Sequence, residues 1–325
     1  MILPWQTEQW ARLLAATQAN RLPHALLLSG IQGTGKRQFA DALSQALLCQ
    51  SAKVDGVSVC GRCHACKMAA GRVHPAIFWV EPEERGHAIK IDQIRAANEF
   101  VQQTALQGDR RVVIVNPADA MNRNAANALL KTLEEPASGA LLLLVSSQRE
   151  RLPATILSRC QLLHFPRPSL QVALQWMNDQ AVTSMASALL LRLANGAPLA
   201  ALALATDGSL AVRQNLYNGL AGLIQKKIDP IKLAFQFKEM PPLSFVDTML
   251  SWLMDCLRVQ LGGLPNEIVN HDFEAEIVRY AGLTQLADNV SHLTYLQQLR
   301  GQVVLGLNLN KQLLVENVLL RSGLV

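Results

Sequence analysis

No apolar run in this sequence is long enough to cross a bilayer. The most strongly apolar run, GALLLLV from Gly139 to Val145, falls far short of the roughly 20 residues a spanning helix needs. The stretch MILPWQTEQWARLL has neither the basic region nor the apolar core of a secretory signal, so a cytoplasmic protein is expected. Charge is sparse as well, at 17% of residues with a net +5. That balance permits contact with nucleic acid but is too small to argue for it. Internal repeats, low-complexity tracts and long charge runs are all missing. What is present is a chain of 325 residues, 50% of them hydrophobic. That is the composition of a folded globular protein, and the length exceeds what a single core usually organises. Two or three domains are expected.

The first half alternates short apolar runs with amphipathic stretches. HALLLS (24–29), AIFWVEP (76–82), RVVIVN (111–116), ALLLLVSS (140–147) and QLLHF (161–165) read as strands. Between them, helices are predicted over 36–48, over IDQIRAANEFVQQTA (91–105) with Asp92 as its cap, and over NRNAANALLKTLEEP (122–136). In the last of these Met121, Ala125, Leu129 and Leu133 recur every four residues on one face, and Pro136 stops the helix. Near-continuous apolar strands alternating with helices predict a parallel sheet covered on both faces. After HFPRP (164–168) the pattern turns helical, with a further break near NGAPLAALALATDGS (195–209). The expected fold class is therefore α/β followed by all-α, in three parts: 1–166, 167–208 and 209–325.

Of the six cysteines, four fall within one short segment: Cys49, then Cys60, Cys63 and Cys66 spaced C-x2-C-x2-C. Four thiolates so placed suit a closed, tetrahedral and therefore structural zinc site, with Gly61, Arg62 and the loop from Val54 to Val59 supplying the turns. An iron–sulfur cluster, a redox pair and free thiols are the other readings of the same spacing. Cys256, in a helical stretch, reads as ordinary core.

SGIQGTGKRQ (29–38) carries Gly30, Gly33, Gly35 and Lys36 in the G-x-x-x-x-G-K pattern that cradles a nucleotide triphosphate, between a strand and a helix as the pattern requires. The next residue should offer a hydroxyl to magnesium, and it is Arg37. A P-loop enzyme also needs acidic residues after a second apolar strand. Here Arg111–Val115 is followed by Asn116 and Pro117, which supply neither a magnesium ligand nor a base. ATP hydrolysis is not expected, and the cradle reads as a degenerate, vestigial nucleotide site.

At ANALLKTLEEP (126–136) and LPATILSRCQ (152–161), together with the four-cysteine insert, the sequence resembles the bacterial clamp-loader subunits of the AAA+ class. Within that family it is similar to the delta-prime type rather than to the gamma/tau motors. A motor would have Ser or Thr at 37, Asp-Glu at 116 and 117, and an arginine within GAPLAA (196–201). The resemblance implies an AAA+ sheet domain with a zinc insert at 49–66, a small helical lid and a helical collar for oligomerisation. It also implies partners: gamma/tau motor subunits, a delta subunit, and through the complex a sliding clamp and primed DNA. In the family the arginine of the SRC motif, here Arg159, reaches across a subunit interface towards ATP held by the neighbour, as an arginine finger. The glutamates of LEEP (133–136) are expected to shape that interface, while Arg149 and Arg151 would hold the next subunit or touch DNA. An active motor subunit and a stand-alone zinc-containing DNA-binding protein are the rival readings.

Overall fold

The computed structural model describes residues 2–51, 59–84, 86–102, 110–180, 182, 184–264, 267–307 and 309–322. The chain divides into two compact units, Met1–Asp179 with Gly196–Ala200, and Gln180–Asn195 with Ala201–Val325.

The first unit is built on a sheet of β1 (Ala25–Ser29), β2 (Ile77–Val80), β3 (Arg111–Val115), β4 (Ala140–Ser146) and β5 (Gln161–His164), in the order β2-β3-β4-β1-β5. Every pairing is parallel, with Leu27 opposite Leu144 and Leu162, and Val113 opposite Leu142. The all-parallel, near-continuously apolar sheet agrees with the sequence expectation. Because strand residues alternate faces, Leu27, Val113, Leu142 and Leu144 form one core. They pack with α4 (Ile91–Gln102), α5 (Arg123–Glu134) and α6 (Ala154–Leu157). Leu26, Leu28, Val112, Ile114, Leu141 and Leu143 form the other core, under α1 (Thr7–Gln18), α2 (Lys36–Leu48) and α3 (His64–Ala70).

Helix boundaries follow local chemistry. α2 occupies 36–48 as the sequence predicts. In α5 Ala125, Leu129 and Leu133 are buried, while Met121 lies ahead of the helix and packs on the same core. Asn122 caps it, its side-chain oxygen accepting from the amide of Ala125 at 2.8 Å. Asp92 is not a cap: α4 begins at Ile91, so Asp92 falls in the first turn and pairs with Arg95. It still complements the helix dipole there. The last three residues of the predicted 91–105 helix lie outside the described residues.

The second unit is helical: α8 (Ser184–Leu193), α10 (Ser209–Ile224), α11 (Pro230–Phe237), α12 (Pro242–Gln260), α13 (Glu274–Leu283), α14 (Leu286–Val304) and α15 (Lys311–Leu320). Its core gathers Tyr217, Phe245, Trp252, Ile277, Leu296 and Val318, and Cys256 is buried within it as expected. α7 (Leu170–Asp179) belongs to the first unit, and α9 (Pro198–Thr206) starts there. Among the described residues no single helix is long and apolar enough to cross a membrane.

Candidate functional site

Parallel strands bring all their C-terminal ends to one edge of the sheet, where ligands of open α/β folds bind. The glycine loop after β1, Asn116 after β3 and Ser147 after β4 meet at that edge. Gly35, at φ +84°, is the left-handed residue that turns the chain into α2.

Other parts of the chain pack against this loop. The Gln6 side chain, fully buried, donates to the carbonyls of Thr34 (3.0 Å) and Gly35 (2.9 Å), and the Trp5 indole donates to Thr34 (2.9 Å). A Cβ added at Gly35 would lie 2.3 Å from Leu3 Cδ1, and one at Gly33 would lie 2.6 Å from Ala200 Cβ. The glycines are needed here because other parts of the chain press on the loop. Gly30 is constrained in the same way, since a Cβ there would fall 2.3 Å from the carbonyl oxygen of Phe165.

Lys36 spends its amine on its own loop. Nζ donates to the carbonyls of Gly30 and Ile31, both at 2.7 Å, and to Ser147 Oγ at 3.3 Å. Burial lowers its pKa from 10.5 to about 8, partly offset by the nearby Asp119 carboxylate. That carboxylate in turn accepts from the amide of Ser147 at 3.0 Å. Between pH 8 and 10.5 the unfolded chain holds more protons at this residue than the folded one, so stability attributable to it rises with pH. Compared with Lys36→Met, the wild-type protein should therefore gain about 1–3 kcal/mol across that window, read from urea titrations at each pH. A gap independent of pH would show the amine to be freely solvated.

Arg37 does not face the loop's hollow. Its guanidinium pairs with Glu81 at 3.2 Å, and Arg72 grips the same carboxylate through two bonds of 3.1 Å. Burial works against the Glu81 charge, but the bonds from Arg72, the nearby Arg37 and a bond from Asn116 hold its carboxyl below the ordinary range. Both departures from the P-loop pattern, Arg37 and Asn116, are thus engaged by one acidic residue. Sequence reasoning passed over Glu81, Asp119 and the 3–6 segment. An acidic residue shortly after β2 and another after β3 were the available signals for the first two. Nothing local in 3–6 announces its position.

The cysteine cluster is assembled as the spacing suggested. The Sγ atoms of Cys49, Cys60, Cys63 and Cys66 lie within 4.8 Å of one another, Cys49 to Cys63 at 4.0 Å and Cys60 to Cys66 at 3.9 Å. Cys63 caps α3, its sulfur accepting from the amide of Cys66, while the amide of Cys63 points at the Cys60 sulfur. The backbone amides of Cys63 and Arg62 bring the Cys60 thiol down to about 6, and that of Cys66 lowers Cys63. Burial pushes Cys66 up to about 12. Four convergent sulfurs stabilised in part as thiolates can bind a metal ion. Residues 54–58 of the predicted turning loop lie outside the described residues.

Arg159 lies at the other edge of the sheet, between α6 and the start of β5. Nη1 donates to the carbonyl of Thr155 (2.9 Å) and to Ser158 Oγ (3.1 Å), and Nη2 pairs with Glu134, the last residue of α5. The side chain is one-third exposed, at 33%. Cys160, beside it, is half-buried and pushed up to about 11 by that burial. Glu134 is thus engaged within the chain, with the SRC arginine. Arg149 and Arg151 stand exposed on a short turn of helix.

Residues 5–169 match the family described as DNA polymerase III, delta subunit, and residues 207–322 match its C-terminal family. The DNA polymerase III subunit delta' of Pseudomonas aeruginosa is 38% identical, over 98% of this chain and 97% of that protein. This chain belongs to the DNA polymerase III delta-prime family. The subunit delta' of Escherichia coli is 33% identical, over 98% of this chain and 94% of its own length. With near-complete coverage of both relatives, the match spans the sheet unit and the helical unit alike.

Proposed function

We propose that this delta-prime chain is the ATPase-inactive, rigid member of a hetero-pentameric clamp loader, offering Arg159 in trans to a neighbouring motor subunit's ATP. The placement of Arg159 carries this reading. It precedes β5, whereas the glycine loop follows the parallel β1. The four residues of β5 therefore hold it about 13 Å or more from its own cradle. A guanidinium there serves a phosphate supplied by another molecule.

The rest of the site supports the same division of labour. Lys36 is turned onto loop carbonyls, Gly33 and Gly35 face protein atoms, and Arg37 and Asn116 are committed to Glu81. Magnesium would find no hydroxyl at position 37 and no carboxylate at 116. In this reading gamma/tau subunits burn the ATP. The helices of 209–325 form a collar joining them and the delta subunit, and 167–208 form a lid. The complex places a sliding clamp on primed DNA in the cytoplasm. The purified chain should show no magnesium-dependent ATP turnover, and Lys36→Ala should change nothing in that assay. Turnover abolished by Lys36→Ala would overturn the reading and make this chain a motor.

The metal of the cysteine cluster is proposed to be structural zinc. Zinc–sulfur bonds of about 2.3 Å place tetrahedral sulfurs about 3.8 Å apart, close to the 3.9 and 4.0 Å observed for two pairs. With four sulfurs completing the shell, the ion would pin the end of α2 to α3. Elemental analysis of natively purified protein should find about one zinc per chain. Iron in its place, or no metal at all, would refute the assignment.

A further inference from the structure

The Arg159–Glu134 pair goes beyond that reading. Glu134 and Arg159 reach the same edge of the sheet from different elements, one ending α5 and the other following α6. The guanidinium is held from three directions: the Thr155 carbonyl, the Ser158 hydroxyl and the Glu134 carboxylate, the last at 2.5 Å. Two of these belong to its own turn, so among the described residues Glu134 is what ties it to the rest of the domain. The three contacts do not exhaust the guanidinium's fork of donors, and the remaining N–H groups can meet phosphate oxygens.

We propose that Glu134 is a positioning residue for Arg159, holding the guanidinium in a fixed orientation at the surface before a neighbour's triphosphate arrives. The proposal rests on the trans role of Arg159. An arginine loses much rotamer freedom when it is fixed. Glu134 makes that ordering a property of the folded subunit, so less of it is charged against the transition state. The pair is solvent-accessible, with Glu134 at 50%, and such pairs are weak, so Glu134 orients the guanidinium without locking it away from a phosphate.

The test uses the assembled clamp loader, reconstituted with gamma/tau and delta subunits, and follows DNA-stimulated ATP turnover. Glu134→Ala should lower kcat about 2- to 10-fold, the factor for ordering one rotamer-rich side chain, with little change in KM for ATP. Glu134→Gln, which keeps an acceptor for Nη2, should restore most of that loss. In an Arg159→Ala background, Glu134→Ala should have no further effect, and sedimentation should show intact rings throughout. Wild-type turnover in Glu134→Ala beside an impaired Arg159→Ala would overturn the positioning role alone. Additive losses in the double variant would overturn it too, by making Glu134 an independent interface contact. An unimpaired Arg159→Ala would overturn the trans reading beneath it.

Discussion

Replacing Arg159 by alanine should silence one ATP site in the reconstituted clamp loader while leaving the subunit itself folded. A guanidinium is planar and always charged, and it meets developing charge on a transferring phosphoryl group with a fork of donors. Fingers of this kind accelerate hydrolysis about 10³- to 10⁵-fold at the site they serve. The site facing this subunit should slow by that order, so the burst of phosphate release on adding primed DNA should lose one site's share. Arg159→Lys should recover little, because a point charge does not reproduce the fork. The fold should hardly notice. The Arg159–Glu134 pair is solvent-accessible, and exposed pairs contribute about 0–1 kcal/mol, so thermal unfolding of the isolated variant should stay close to wild type. A burst of full amplitude in a ring containing Arg159→Ala would sink the trans assignment.

The largest stability effect is expected in the helical unit, at Asp255. This carboxylate is fully buried, on α12, and it organises the segment leading to α13. It accepts from the amides of Val269 (3.0 Å) and Asn270 (2.8 Å), from the Asn270 side chain (2.6 Å), and from Arg258. Asn270, positioned in this way, accepts from Arg213 at 2.8 Å, and Arg213 also grips Asp272 at 2.6 and 2.7 Å while lying over the Tyr217 ring. One acid thus joins α10, α12 and the 268–273 segment. Asp255→Ala leaves buried N–H donors without acceptors, and breaking such a network by removing one member costs about 3–5 kcal/mol. Denaturant unfolding of the variant should show a loss of this size, and a loss below about 1 kcal/mol would mean the network is dispensable. The sheet unit has its own cores, so a two-step transition is the expected form of the melt.

Both predictions depend on contacts that no stretch of sequence displays. Asp255 and Asn270 lie fifteen residues apart, and Glu134 and Arg159 are separated by a strand and a helix. From sequence alone, LEEP at a helix end points Glu134 to a subunit interface. Its partner became visible only when α5 and α6 packed at one edge. The same holds for Gln6, whose bonds to Thr34 and Gly35 cross 28 and 29 residues. Asp92 shows the opposite limit. Its carboxylate marks a helix start, but α4 begins at Ile91, so Asp92 lies inside the first turn rather than at the cap.

What the sequence determined by itself was local or periodic. Runs such as Val112–Val115 and Leu141–Val145 are apolar on both faces, and burying both faces requires a sheet sandwiched between helices. Three cysteines at C-x2-C-x2-C sit within the reach of one short turn, so their convergence with Cys49 was legible. The glycines and Lys36 of SGIQGTGKRQ fixed a loop between strand and helix, and Arg37 with Asn116 set it apart from the P-loop pattern. Only the tertiary structure decided what became of that loop, because its fate depends on distant segments. Leu3, Gln6 and Ala200 lie against its glycines, and Glu81 holds its substitutions. Likewise the direction of β5 relative to β1, a matter of sheet topology, put Arg159 at the edge away from its own cradle. A sequence records which groups are present, but strand order and direction determine which edge of the sheet they share.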